Sequence, residues 1–329
     1  MSSPRLKPFY KTSRLGRLYF GKCEEVLTRS PLTRYKGKVQ LIFTSPPFPL
    51  NRKKKYGNEQ GEAFVKWLSD FAPLFASYLK PRGSIVMEMG NAWEPGRPIQ
   101  SILALQSLMG FLQNKTAGLR LCQEFIYYNP ARLPAPAEWV TVQRIRVKDS
   151  FTRLWWMSTS DFPKANNKRV LQPYSDAMKK LLEKRSYNAG KRPSEYSIGA
   201  ESFFTNNGGS IPPNVLQHSN TLAFDPYLDH CRKNNIKPHP ARMPLQVPEF
   251  FINFLTTEDD LVLDPFGGSN TTGAVAERLK RRWISIEAQD EYARASAARF
   301  TNTSSLPPPP KVDNEHARTA ELATTGNNL

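Results

Sequence analysis

Long apolar runs are missing from this 329-residue chain, and no uninterrupted stretch is long enough to span a bilayer. The opening residues, MSSPRLKPFYK, are basic with no apolar segment behind them, so no secretory signal is expected. Cysteine is scarce: Cys23, Cys122 and Cys231 are odd in number and unevenly spaced. That argues against a disulfide framework and for a reducing, cytoplasmic setting. Only four histidines occur, scattered along the chain, and CxxC is absent, so no metal site is expected. Heptads and short repeats are missing too. Acidic residues are outnumbered: 46 Lys and Arg against 29 Asp and Glu leave a net charge of +17, with a pI near 9.8. A surplus of that size points to a polyanionic partner, most often nucleic acid.

The stretch Leu261 to Gly273, LVLDPFGGSNTTG, organises what is present. An apolar run ends at Asp264, a glycine turn follows, and then come residues able to start a helix, as in a buried parallel strand feeding a helix N-terminus. Gly267 and Gly268 allow a sharp turn and close approach of a ligand to the backbone. The loop is not a P-loop, because Ala274 follows Gly273 where lysine is required. It also lacks the GxGxxG order of a dinucleotide fingerprint. Glu287 closes the next strand-like run, WISIE, at about the spacing at which an acidic side chain reaches ribose hydroxyls. A structural glycine turn accounts for the glycines alone. Asp264, the loop and Glu287 together favour a nucleoside ligand carrying a charged amino-acid part, a description that S-adenosylmethionine fits.

Earlier in the chain, Lys38 to Thr44 reads as a buried strand that stops at Ser45-Pro46-Pro47-Phe48. Two prolines cannot donate backbone hydrogen bonds and hold Ser45 extended, leaving a rigid hydroxyl and carbonyl corner beside an aromatic ring. The cationic run NRKKKYGN follows, with Arg52, Lys53, Lys54 and Lys55 placed to grip phosphates. Helical spacing predicts a helix over Ala63 to Leu79, bent or interrupted at Pro73. Strands are expected at Leu18 to Phe20, Ser84 to Met89, Phe125 to Tyr128 and Leu154 to Met157, with a helix over Ile99 to Leu112. Asn129 to Trp139 is rich in proline, and Val140 to Val147 alternates with Arg144, Arg146 and, just beyond it, Lys148. Strand and helix in alternation predict an α/β fold with a doubly wound, mostly parallel sheet. Ser160 to Pro238 is polar, basic and weakly periodic, with only Pro173 to Lys184 looking helical, as in an inserted, loop-rich lobe. A helix is expected over Leu245 to Leu255 and another from Glu287 to about Phe300. Residues 306 to 329 open with four prolines and read as a disordered tail.

The pair formed by Ser45-Pro46-Pro47-Phe48 and Asp264-Pro265-Phe266-Gly267-Gly268 resembles the amino-methylating DNA methyltransferases of the permuted β class, mostly cytosine-N4 enzymes. The likeness extends through IRVKD near Ile145, the paired tryptophans at Trp155, GGSIPPN at 208 to 214 and HPAR at 239 to 242, and covers roughly residues 15 to 300. Phe48 departs from the tyrosine of many relatives, keeping the stacking face and losing the hydroxyl.

The resemblance implies a circularly permuted methyltransferase fold. Residues 1–159 would be its catalytic half, 160–238 a target-recognition lobe, 239–303 its cofactor half and 304–329 a tail. It implies S-adenosyl-L-methionine as methyl donor and double-stranded DNA as partner, with the protein working as a monomer or homodimer. A cognate restriction endonuclease would act independently of it. Ser45, Pro46, Pro47 and Phe48 would carry catalysis. Asp264, Phe266, Gly267, Gly268, Ser269 and Glu287 would hold the cofactor, with Trp283 or Ile286 beside the adenine. Pro213, Asn214, His239 and Ala241 would line the methionine side. Arg52, Lys53, Lys54, Lys55, Arg144, Arg146 and Lys148 would contact DNA. An adenine-N6 enzyme and a DNA-binding protein without activity are the alternatives. Cytosine-C5 chemistry is disfavoured, since it needs a thiolate, usually after proline, and none of the three cysteines follows one.

Overall fold

A computed structural model describes residues 6–12, 15–49, 60–187, 189–191, 193–199, 201–220 and 225–300. In chain order the strands are β1 (Tyr10–Lys11), β2 (Gly16–Phe20), β3 (Val39–Thr44), β4 (Leu79–Gly90), β5 (Arg120–Tyr128), β6 (Phe151–Ser158), β7 (Gly190–Lys191), β8 (Ser197–Ile198), β9 (Val215–Gln217), β10 (Leu261–Asp264) and β11 (Arg282–Glu287). The helices are α1 (Cys23–Leu27), α2 (Gly61–Ser69), α3 (Phe71–Tyr78), α4 (Leu103–Gln113), α5 (Asp176–Lys184), α6 (Pro226–Lys233), α7 (Gln246–Leu255), α8 (Thr271–Arg278) and α9 (Asp290–Ser296). No described helix is long and apolar enough to cross a membrane.

One mostly parallel sheet carries the fold in the order β1-β2-β11-β10-β3-β4-β6-β5-β9. Its centre, β10-β3-β4, is built from strands buried at almost every position, as parallel strands covered on both faces must be. Side chains alternate between two cores. Ile42, Ile85, Leu263 and Ile284 face α1 to α4, while Leu41, Phe43, Val86, Val262 and Trp283 face α7, α8 and α9. Helices on both faces make the sheet doubly wound. The strands β3 and β10 pair directly, with Val262 opposite Leu41 and Leu263 opposite Ile42. Two ends more than two hundred residues apart in sequence therefore share one edge.

Several elements differ from the sequence reading. The helix expected over Ala63 to Leu79 is two helices that break at Asp70, not at Pro73. Pro73 sits in the first turn of α3, where an amide would have no intrahelical acceptor, so it costs the helix nothing. The strands around Phe125 and Trp155 are longer than expected and antiparallel to each other: Phe125 lies opposite Leu154 and Tyr128 opposite Phe151. Glu138–Val142 is a helical turn, not part of an alternating run.

The segment 160–238 is threaded through the main body. The guanidinium of Arg169 donates to the carbonyls of Asn253 (2.7 Å) and Phe254 (2.8 Å), capping the end of α7. Gln172 and Ser210 exchange backbone hydrogen bonds of 2.9 and 2.8 Å, which close the base of a loop excursion. Within that excursion lie α5, none of whose side chains is buried, and the small hairpin β7–β8. The chain then returns to the sheet as β9, parallel to β5. Residues 304–329 fall outside the described residues.

Candidate active site

A cavity of about 1010 Å³ opens along the carboxyl edge of the sheet, where open α/β sheets take their ligands. Its walls come from the ends of six parallel strands and the start of β6. Gly21 follows β2, Glu287 ends β11, Asp264 ends β10 and Ser45 follows β3. Glu88 lies near the end of β4, Tyr127 and Asn129 at the end of β5, and Thr152 near the start of β6.

One half of the cavity is the loop after β10. Asp264 is buried, and its Oδ1 accepts from Thr44 Oγ1 (2.9 Å) and from the amide of Phe266 (3.1 Å). Burial pushes its carboxyl up to about 6, against the hydrogen bonds from Thr272, Thr44 and Phe266. Phe266 anchors the loop by packing its ring 5.8 Å from Trp67 and 5.6 Å from Phe71. Gly267 donates its amide to the Ile286 carbonyl at 2.7 Å, and a Cβ there would lie 3.1 Å from that same oxygen.

Gly268 has a φ of +52°, a conformation that favours glycine. Its amide donates to Glu287 Oε2 at 2.6 Å, and the amide of Gln289 donates to Oε1 at 2.8 Å. Burial chiefly pushes Glu287 up to about 7, aided by the nearby Asp264 and opposed by those amides. Ser269 is held from behind: Arg299 Nε donates to its carbonyl at 2.6 Å, and the Arg299 side chain is paired with Asp225 at 3.1 Å. Asn270 then caps α8 through a bond from the Gly273 amide to its Oδ1 (3.2 Å).

The other half is the corner after β3. Pro46 is buried, while Ser45, Pro47 and Phe48 are partly exposed to the cavity. Phe48 lies against the backbone of Gly90; a Cβ at Gly90 would sit 2.4 Å from its ring, so only glycine fits beneath it. Glu88 is buried below Ser45. Its Oε1 accepts from Thr152 Oγ1 at 2.8 Å, and the Ser45 side chain hydrogen bonds to the same carboxylate. Burial raises the Glu88 carboxyl above its ordinary value, opposed by those two hydroxyls and by the Arg132 guanidinium. If Ser45 gives its proton to this carboxylate, its oxygen lone pairs face the cavity as acceptors.

The structure thus brings Ser45, Pro46, Pro47, Phe48, Asp264, Phe266, Gly267, Gly268, Ser269, Glu287, His239, Ala241 and Ile286 to one cavity. His239 holds a shape there: its ring lies 4.5 Å from Tyr292, and its Nδ1 donates to the Ala241 carbonyl at 2.8 Å.

Pro213 and Asn214 are not brought to it. Asn214 borders β5, its backbone carbonyl accepting from the Ile126 amide (2.9 Å) and its side-chain Nδ2 donating to the Glu124 carbonyl (2.9 Å). Trp283 is likewise a core residue, not an adenine contact. It lies at the start of β11, at the opposite edge of the sheet, stacked on Phe300 at 5.0 Å with its indole N–H on Glu277 at 2.6 Å.

Arg146 lies 3.6 Å above the Trp93 ring, and Lys148 donates to the carbonyls of Pro130 (3.0 Å) and Arg132 (3.3 Å). Lys148 thus braces the loop beside the cavity, while Arg146 packs on the segment after β4, donating also to the Pro98 carbonyl at 3.1 Å. Arg144 has a φ of +56° in the same loop, and Arg52, Lys53, Lys54 and Lys55 lie outside the described residues. Glu88, Thr152, Arg132 and Thr44 were missed from sequence. For Glu88 the signal was there, a lone carboxylate inside the apolar strand IVMEM.

The chain is similar to known proteins over most of its length. A family model described as DNA methylase matches residues 39–298. The chain is 47% identical over 296 residues to the type II methyltransferase M.PvuII of Proteus hauseri, an alignment covering 89% of this chain and 86% of that one. It is 24% identical over 283 residues to the type II methyltransferase M.BglII of Bacillus subtilis, covering 84% and 67% of the two chains. Among solved structures, the PvuII DNA methyltransferase (cytosine-N4-specific) superposes with a TM-score of 0.72 at 40% identity, covering 90% of each chain. The M1.HpyAVI–SAM complex shares the fold alone, with a TM-score of 0.52 at 18% identity over 87% of this chain and 100% of that one. With the family match spanning most of its length and a relative nearly half identical to it, the chain belongs to the DNA methylase family.

Proposed function

We propose that this protein transfers a methyl group from S-adenosylmethionine to the exocyclic N4 of a cytosine turned out of duplex DNA, as the modification arm of a restriction–modification system. One observation carries the reading: the Ser45 corner and the Asp264 loop are neighbours over a single cavity, tied together by the Thr44–Asp264 hydrogen bond of 2.9 Å. The relative at 47% identity is a type II methyltransferase, and the PvuII structure is described as cytosine-N4-specific. The charge surplus of +17 suits a phosphate-lined partner.

The residues of the β10 loop and the end of β11 fit the proposed donor. Glu287 retains free lone pairs for two adjacent hydroxyls after accepting the Gly268 and Gln289 amides. Gly267 and Gly268 keep the floor of the loop free of side chains, and Asp264, when ionised, suits an ammonium group. When bound, S-adenosylmethionine supplies the methyl group in activated form as a sulfonium.

The other half handles the acceptor. The amino lone pair of cytosine is delocalised into its ring, so the nitrogen must rehybridise while acceptors hold its hydrogens. Ser45 Oγ and the Pro46 carbonyl serve as those acceptors. Glu88 fixes the Ser45 hydroxyl with its proton directed inward, leaving the oxygen free to accept. A carboxylate whose proton affinity burial has raised is also suited to receive, through Ser45, the proton that the product amine sheds. Phe48, braced on Gly90, offers a ring face for the base. The excursion between Gln172 and Ser210 is the part suited to reading a recognition sequence.

The test is transfer of labelled methyl from S-adenosylmethionine to plasmid DNA. Wild-type protein is expected to label it. Ser45→Ala is expected to lose nearly all transfer while its affinity for S-adenosylmethionine is retained. Full turnover in that variant would remove Ser45 from the mechanism.

A further inference from the structure

The loop from Asn129 to Ala137 leaves β5 at the rim of the cavity, and two of its residues, Asn129 and Arg132, line the cavity wall. It is well braced. The Ala131 amide donates to Asn129 Oδ1 (3.0 Å) and the Arg132 amide to the Asn129 carbonyl (3.2 Å). Lys148 reaches back to the carbonyls of Pro130 and Arg132, and the Asp149 amide donates to the Ala135 carbonyl at 3.1 Å. Pro130, Pro134 and Pro136 stiffen the backbone further. Yet the residue held by this brace is Leu133, an apolar side chain left 80% exposed beside cavity-lining Arg132.

A rigid loop that presents leucine to water at the mouth of the cavity of a strongly basic chain calls for a partner that is anionic outside and apolar within. The stacked bases of a duplex are such a partner. Side chains of this kind enter base steps, partially unstack them and kink the helix. A base removed from the stack also leaves a gap whose refilling must be blocked while chemistry proceeds.

We propose that Leu133 is a wedge that enters the base stack of bound DNA next to the target cytosine and holds open the space that the cytosine leaves. The proposal rests on the reading that the protein methylates an extruded base. In it, Arg132 and Asn129 line the wall of the cavity that receives the base, while Leu133 stays outside with the duplex. The Lys148 bonds, in turn, keep the wedge from folding back when it meets the stack.

The experiment separates the wedge from a general DNA contact. The methylated site is first mapped by sequencing plasmid DNA treated with wild-type protein. Two short duplexes are then made with that site, one with guanine opposite the target cytosine and one with an abasic position there. In single-turnover assays, Leu133→Ala is expected to lose roughly tenfold or more on the paired duplex and to lie near wild type on the abasic one, where little pairing resists extrusion. Leu133→Met, which keeps an apolar wedge, is expected to retain most of the wild-type rate on both. An unchanged rate for Leu133→Ala on the paired duplex, or an equal loss on both duplexes, overturns the proposal. Wild-type protein that labels no DNA would instead defeat the underlying reading, and the wedge with it.

Discussion

Acidification should pull the cofactor-free protein and its cofactor affinity in opposite directions. Burial raises Glu287 to about 7 and Asp264 to about 6, both above the ordinary carboxylate range. A group whose folded pKa exceeds its unfolded one binds its proton more tightly in the folded chain. Its stabilising contribution is complete below the unfolded value, near pH 4, and is lost as pH rises through 6 to 7. Moving from pH 7.5 to 5.5 therefore recovers roughly 2 kcal/mol from Glu287 and less than about 1 kcal/mol from Asp264. For a chain of this size that corresponds to a rise in Tm on the order of 5 °C.

His218, whose imidazole burial holds below its ordinary value, opposes part of this rise as pH falls, whereas Asp260 does not blur the trend. Burial alone would raise it, but hydrogen bonds from Lys164, Lys80 and the Thr257 amide hold it at about 2, below the window. Holding ribose hydroxyls and an ammonium group needs the ionised carboxylates. Affinity for S-adenosylmethionine should then fall over the same interval by roughly tenfold or more. Scanning fluorimetry of the cofactor-free protein and calorimetric titration with S-adenosylmethionine measure the two arms. Glu287→Gln, which has no charge to lose, should flatten most of both slopes. A Tm that stays level or drops between pH 7.5 and 5.5, or a variant with wild-type slopes, would refute the reasoning.

Other perturbations read the acceptor half and the core. Glu88→Gln removes the carboxylate beneath Ser45, and methyl transfer should fall roughly 10- to 100-fold, the effect of losing one buried charged hydrogen-bond partner. Stopped assays should show this with little change in affinity for S-adenosylmethionine, and an unaltered transfer rate would remove Glu88 from the site. Gly90→Ala sets a methyl 2.4 Å from the Phe48 ring, so the ring must move; transfer should drop by about tenfold or more while cofactor affinity holds. Trp283→Phe loses the indole bond to Glu277 and part of the stack on Phe300, and urea unfolding should register a loss of about 1–3 kcal/mol. Its affinity for S-adenosylmethionine should not change, whereas a tenfold loss would return Trp283 to the adenine pocket.

How much was legible in the sequence follows from the kind of constraint each residue obeys. The corner at Ser45 and the loop at Asp264 are local: prolines and glycines dictate their backbone wherever the strands lie. Their meeting depends on β3 pairing with β10, a long-range contact that the composition of neither strand encodes. Glu88 stayed hidden because its role lies in what it touches, the side chains of Ser45, just after β3, and of Thr152 on β6. Trp283 was misjudged through its neighbourhood in sequence. The alternation of the strand sends it to the α8 face and leaves Ile286, three residues on, at the cavity. Pro213 and Asn214 border a strand, β9, which at three residues is too short to be seen in a loop-rich stretch. The antiparallel turn of β6 also escaped notice, because the apolar run LWWM reads the same in either direction.

The central claim is that the edge shared by β3 and β10 serves one reaction, methyl transfer to an exocyclic amino group of cytosine. The most direct measurement is mass spectrometry of nucleosides from DNA incubated with the protein and isotopically labelled S-adenosylmethionine. The label is expected in N4-methyldeoxycytidine, and to vanish with Ser45→Ala. Label in N6-methyldeoxyadenosine or C5-methyldeoxycytidine, or in no nucleoside at all, would contradict it.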